Sequence, residues 1–295
     1  MRIGVCVPIG ERGLERKPNP FAEMRAIAVA TDTQGLDSIW VADHLFIHNE
    51  RGENRGVWEA VAILGALADA TTRVELGPLV FCAPFRNPGL LAWSANTLDE
   101  ISGGRFVLGL GAGWHQPEFE AFGFEFQKRV SYFQDTLEVV VPLLRDGNVK
   151  HEGRFGKGDA ELRPPGPRKN GPPILIAGSG PRMLGLTAKY ADRWNSVWYG
   201  LPTDEFRGER RNLEAALREA GRDPKSIEIN AGLQVFSPDT TSENGPDRIV
   251  GTADHLLEAF RAWEAEGVDE VMCRLEPPSV DVVNEIAEAA RRLRG

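Results

Sequence analysis

The sequence predicts an α/β protein built as one (β/α)8 TIM barrel, with insertions after strands 2 and 4. Short apolar runs alternate with longer amphipathic ones from end to end, and strict alternation demands a parallel sheet covered by helices. Eight such units fit within 295 residues, the length of an eightfold barrel carrying insertions. The rival, a doubly wound open sheet, lacks its mark. No strand–GxGxxG–helix unit with a downstream acid stands near the N-terminus, and Gly178-Ser179-Gly180 is too short to be one.

Taken in order, residues 2–8 are the first strand, and a polar loop follows. Phe21, Met24, Ile27 and Ala28 share one helix face, and Gly35 ends that helix. Residues 38–42 are the second strand, a loop runs to Gly56, and an Ala-rich helix spans 57–70. The third strand is 74–80, with an exit loop to Arg86 and Pro88 opening the next helix. Residues 106–110 are apolar on both faces, as a buried parallel strand is, and end in Gly111-Ala112-Gly113. An aromatic-rich excursion over 119–126 precedes a helix at 132–145. Residues 149–172 are rich in Gly and Pro and read as a surface insertion with a small hairpin, walling the mouth together with 46–56 and 114–130. The strand–helix rhythm resumes at Pro173, so 1–295 is taken as a single domain. Strands at 173–177, 193–197, 227–236 and 270–275 complete the count, with Thr252 and Ser279 placed to cap the last two helices.

Composition narrows the function. The chain is 42% hydrophobic and 26% charged, an ordinary globular balance. Net charge is −9 with no basic block, which argues against nucleic acid and anionic membrane surfaces. No apolar run approaches the ~20 residues of a membrane span, and the N-terminus reads as a core strand rather than a signal peptide. Cys6, Cys82 and Cys273 are far apart without CxxC spacing, so reduced, buried thiols in a cytoplasmic protein are expected, with no disulfide or zinc site.

In a barrel, chemistry gathers at the carboxyl ends of the strands. Those ends carry glycine and aromatic residues with few charges, which suits a large, flat, partly apolar ligand. Gly178-Ser179-Gly180-Pro181 offers backbone N–H groups at a helix N-terminus, an arrangement open to phosphate or to a plain tight turn. Asp43-His44 ends the second strand, and an imidazole there is a natural proton carrier near neutral pH, or simply a loop residue. His115 is a second candidate beside the glycines. His48 would suit a metal pair with His44, but no further ligand cluster supports one. His151 and His255 are read as structural. Cys82 at a strand end reads as an inert thiol, and no Lys or Glu on a strand is read as facing the barrel interior.

Five stretches resemble the luciferase-like monooxygenase superfamily, in the branch that includes the F420-dependent oxidoreductases. They are GLDSIWVADH (35–44), LGPLVFCAPFRNPGLLA (76–92), LDEISGGRFVLGLGAGWHQPEFEAFG (98–123), PPILIAGSGPRMLGLTAKYADRWN (172–195) and GTADHLLEAFRAWEAEGVDEV (251–271). The resemblance implies a dissociable deazaflavin (F420), or alternatively FMN in a two-component monooxygenase. It puts the ring over a bulge within residues 79–83, including Val80 and Cys82, where a non-proline cis peptide is usual. Gly111, Ala112 and Gly113 would flank the cofactor, and Ala177, Gly178, Ser179 and Gly180 would hold its phosphate. Asp43 and His44 match the acid–histidine pair beside the ring, with His44 catalytic. Trp114 stands where sugar-phosphate dehydrogenases of the family carry a glutamate, so that substrate class is not implied. The expected partners are a small organic substrate, a separate cofactor reductase and a second copy in a homodimer. A phosphate-binding lyase or isomerase, and a flavin-binding protein without turnover, are the competing classes.

Overall fold

The computed structural model describes residues 1–12, 16–48 and 52–295. Residues 13–15 and 49–51, inside the predicted loops after the first two strands, lie outside the described residues. Strand β1 (Arg2–Val7) leads through α1 (Phe21–Thr33) to β2 (Ser38–Val41). The insertion after it is an antiparallel hairpin, β3 (Phe46–His48) with β4 (Asn54–Gly56). Helix α2 (Ala60–Ala70) starts three residues later than predicted. Val57 bridges Gly10, Trp58 N–H donates to the Ile9 carbonyl, and Glu59 caps the helix by accepting Ala62 N–H, so 57–59 belong to the loop.

The third barrel strand is broken into β5 (Glu75–Pro78) and β6 (Phe81–Cys82), with a cis Leu79–Val80 peptide between them. Phe81, read as exit loop, is therefore strand. Helix α3 (Pro88–Ile101) leads to β7 (Leu108–Gly111). The aromatic excursion contains a helix the sequence reading missed, α4 (Gln116–Phe122), closed by Gly123 in the left-handed region. Helix α5 (Arg129–Asp146) precedes the hairpin β8 (Asn148–Glu152) and β9 (Lys157–Glu161). That hairpin packs on α5 and α3 rather than walling the mouth, because it leaves the amino-end side of the barrel where α5 finishes. The remaining elements are β10 (Ile174–Ala177), α6 (Pro181–Tyr190), β11 (Arg193–Tyr199), α7 (Asp204–Glu219), β12 (Glu228–Phe236), β13 (Ile249–Val250), α8 (Ala253–Ala265), β14 (Glu270–Glu276) and α9 (Val280–Arg294).

The parallel order is β5-β2-β1-β14-β12-β11-β10-β7-β6. Since β5 and β6 are halves of one strand, and Leu76 bridges Phe106 just before β7, the sheet closes on itself. The result is the predicted eight-stranded barrel. Outward residues such as Ile3, Val5, Ile39 and Val271 meet helix faces such as Met24, Ile27, Ala28 and Thr31 of α1, spaced as one side of a helix requires. Ser279 caps α9 by accepting Val282 N–H, as predicted. Thr252 does not cap α8 with its side chain, because its hydroxyl is paired with His255 Nδ1 at 2.8 Å.

The interior alternates with the outside. Trp40, Val107, Leu175 and Met272, on or beside four of the strands, are all fully buried and pack together inside the barrel. Below them lies a polar layer that the sequence reading denied. Glu270 is fully buried, accepts from Ser38 Oγ and from Asn230 Nδ2 (2.7 Å), and sits beside Arg2 and Arg193. These inward groups stand at the amino ends of their strands, away from the chemical end, so they do not support a lyase or isomerase.

Candidate active site

Packed against the Trp40 plug, Cys6, Leu79 and Val80 form an apolar floor. The broken third strand is held there by Asp43. Its buried carboxylate accepts Cys82 N–H at 2.8 Å and both arms of Arg86, at 2.6 and 2.7 Å. Arg86 lies over the Phe81 ring, 4.5 Å from its centroid. Burial works against the Arg86 charge, but Asp43 and Glu59 more than offset it and raise its pKa. Asp43 is therefore engaged by the protein itself.

His44, the next residue, turns toward α4. Its Nδ1 is 2.9 Å from Glu118 Oε2, and Glu118 Oε1 accepts the N–H groups of Leu45 and Phe46. The Glu118 side chain is only 2% exposed. Around His44 stand Trp114, edge-on at 5.6 Å, and His115, at 6.4 Å. His115 also meets His48 at 5.0 Å and Phe46 at 6.0 Å. It is buried, its Nε2 has no partner, and burial holds its pKa below the usual imidazole range. Among the described residues, the grouping of three metal-competent side chains is Asp135, Glu138 and His151, on α5 and its hairpin rather than at His44 and His48.

The glycines answer first to the protein. A Cβ on Gly111 would lie 2.7 Å from Val80 Cγ2, and one on Gly113, whose φ is +83°, 2.6 Å from Cys82 Sγ. β7 can thus press against the strand break only with glycine at these places. The Cys82 thiol is enclosed and its pKa is pushed up, chiefly by burial, so its side chain is inert. Ala112 is buried between the two glycines. On the neighbouring strand, Ala177 ends β10 and the Gly178 carbonyl accepts Trp194 Nε1–H at 3.0 Å. Ser179 and Gly180 are exposed, no side chain caps α6, and a Cβ on Gly180 would meet nothing within 4 Å.

The structure thus brings His44, Val80 and the glycines together at one end of the barrel, with the Gly178–Gly180 turn at the end of β10. Sequence reasoning missed Glu118 and Arg86. The only signal for Glu118 was its place in an aromatic stretch, and for Arg86 its position in the exit loop of the third strand.

A closed parallel barrel whose strand ends carry His44, Asp43 and the glycine turns at the carboxyl face defines the TIM-barrel class. Its sequence matches the description of the luciferase-like monooxygenase family over residues 1–245, and the chain belongs to that family. It is an oxidoreductase of the luciferase-like kind. It is 30% identical over 274 residues to a phthiodiolone/phenolphthiodiolone dimycocerosates ketoreductase of Mycobacterium tuberculosis, covering 86% of this chain and 71% of that protein. Its fold matches an F420-dependent secondary alcohol dehydrogenase solved with an F420–acetone adduct, with TM-score 0.82, 19% identity and coverage of 100% and 99% of the two chains. A monooxygenase from Streptomyces bottropensis matches with TM-score 0.81 and 20% identity over 100% of both chains. Among the described residues no helix is long and apolar enough to cross a membrane.

Proposed function

We propose that the chain transfers hydride between a dissociable deazaflavin, F420, and a small organic ketone or alcohol. The observation that carries this reading is His44, held by Glu118 at the strand ends beside the apolar floor of Leu79 and Val80. The residues fit a flat ring with an anionic tail. The floor is apolar, Gly111 and Gly113 keep β7 low against it, and the Gly178–Gly180 turn leaves open space at an uncapped helix N-terminus. When bound, the cofactor supplies or accepts the hydride. His44 holds and moves the proton at the substrate oxygen. Phe46 and the buried His115 limit water around it. The ketoreductase and alcohol dehydrogenase relatives point to a ketone–alcohol pair.

FMN with oxygen insertion is the second reading, favoured by the family's own description and by the monooxygenase of like fold. Fluorescence titration with F420 and with FMN, oxidised and reduced, followed by anaerobic turnover on a panel of ketones, separates the two. Tight F420 binding with oxygen-independent ketone reduction is expected. Preferential FMN binding and turnover only with oxygen would install the second reading. A dissociable cofactor also implies a separate reductase to recharge it. We further propose a homodimer, in which the apolar groove between α2 and α3, with Leu90 64% exposed and Ile101 48% exposed, covers its copy.

A further inference from the structure

We infer that Glu118 is a positioning residue: it fixes His44 as the Nδ1–H tautomer and so makes Nε2 the nitrogen that exchanges a proton with substrate. This rests on the proposed role of His44, and goes beyond it by naming the group that sets which nitrogen works.

The argument is one of donors and acceptors. A carboxylate accepts and cannot donate. Glu118 Oε1 is taken by the N–H groups of Leu45 and Phe46, and Oε2 faces His44 Nδ1 at 2.9 Å. The hydrogen on that contact must then belong to the imidazole. In a neutral ring the lone pair is left on Nε2, which makes no hydrogen bond among the described residues. Glu118 is not free to swing away. Its neighbour Phe119 is fully buried and packs on Phe85 at 5.0 Å and Phe126 at 5.2 Å, and Gly123 closes α4 behind it. The same carboxylate that ties down the chain after β2 therefore also orients the ring. A purely structural role for Glu118 would need only the two backbone contacts, because Leu45 and Phe46 use one oxygen between them.

The test is nitrogen-15 NMR of the five histidine rings, with His44 assigned by its absence in His44→Ala. The wild-type protein should show His44 protonated at Nδ1. In Glu118→Gln, Oε1 can still accept the two backbone N–H groups while the amide donates to Nδ1, so the ring should switch to the Nε2–H form. Turnover should fall about 10²–10⁴-fold, the scale of a wrong-tautomer defect, with cofactor Kd within a few-fold. Glu118→Asp, which keeps the acceptor, should retain the Nδ1–H form and recover part of the turnover, and it serves if the Gln variant does not fold. Wild-type His44 found in the Nε2–H form, or a Gln variant that switches tautomer without losing turnover, overturns the inference. Full turnover in His44→Ala would instead overturn the proton role of His44, whatever its tautomer.

Discussion

Asp43 and Arg86 form a two-pronged ion pair at 2.6 and 2.7 Å, and the same carboxylate anchors Cys82 N–H at the break in the third strand. Arg86 is only 14% exposed, so the pair lies mostly out of water. Asp43→Asn removes the buried counter-charge of that guanidinium and leaves it only the more exposed Glu59 carboxylate, 3.1 Å away. A loss in unfolding free energy near the low end of the ~3–5 kcal/mol that breaking a buried pair costs is expected, because Glu59 still faces the guanidinium, along with weaker cofactor binding. Denaturant melts and cofactor titration check both, and loss of affinity at unchanged stability would mean that Asp43 meets the cofactor directly.

His44→Ala should lower turnover about 10²–10⁴-fold, the usual worth of a positioned acid–base group. Cofactor affinity should stay within a few-fold. Near-full turnover would move the role to His115 or to no protein group at all.

Gly180→Leu should leave the fold intact, since the added Cβ meets nothing within 4 Å. It should weaken the phosphorylated cofactor much more than a phosphate-free analogue, by at least about tenfold if N–H contacts to a phosphate are lost. Equal losses for the two ligands would place the phosphate elsewhere.

Glu75 accepts Arg193 through both oxygens, each at 2.8 Å. Burial pushes its carboxyl pKa up, but the Arg193 hydrogen bonds and charge win and hold it below the usual range. A depressed carboxyl contributes stability above its unfolded pKa, about 4.3, and loses it as pH falls through the folded value. Glu75→Gln should therefore cost about 1–3 kcal/mol at neutral pH. That gap should start to shrink as pH falls below about 4.3 and close only once pH has dropped past the depressed folded value, in paired thermal melts. A gap independent of pH would assign the loss to packing.

The dimer reading is checked by light scattering. Wild type should have twice the chain mass, and Leu90→Glu, on the exposed face of α3, should be monomeric with unchanged activity per bound cofactor. A monomeric wild type at micromolar concentration ends it.

Much of this was legible in the sequence because it rests on local pattern. The barrel followed from alternation, and His44 from its place at a strand end. The glycines after the fourth strand were visible too, though their first duty proved to be close packing on Val80 and Cys82. Glu118 was illegible because its partner lies 74 residues away, on a helix disguised by aromatic residues as a loop. Glu270 was hidden in another way. Its strand is apolar on average, and only closure of the sheet reveals that every second side chain points into a shared interior where one acid can be satisfied by Ser38 and Asn230.

The Trp40 plug and the Glu270 layer beneath it seal the barrel from below. The site is consequently a cul-de-sac. Whatever arrives must depart by the route it came, and two molecules sharing one doorway queue. For the proposed reaction of cofactor and substrate, this makes the guest seated deeper the one that goes in first and comes out last.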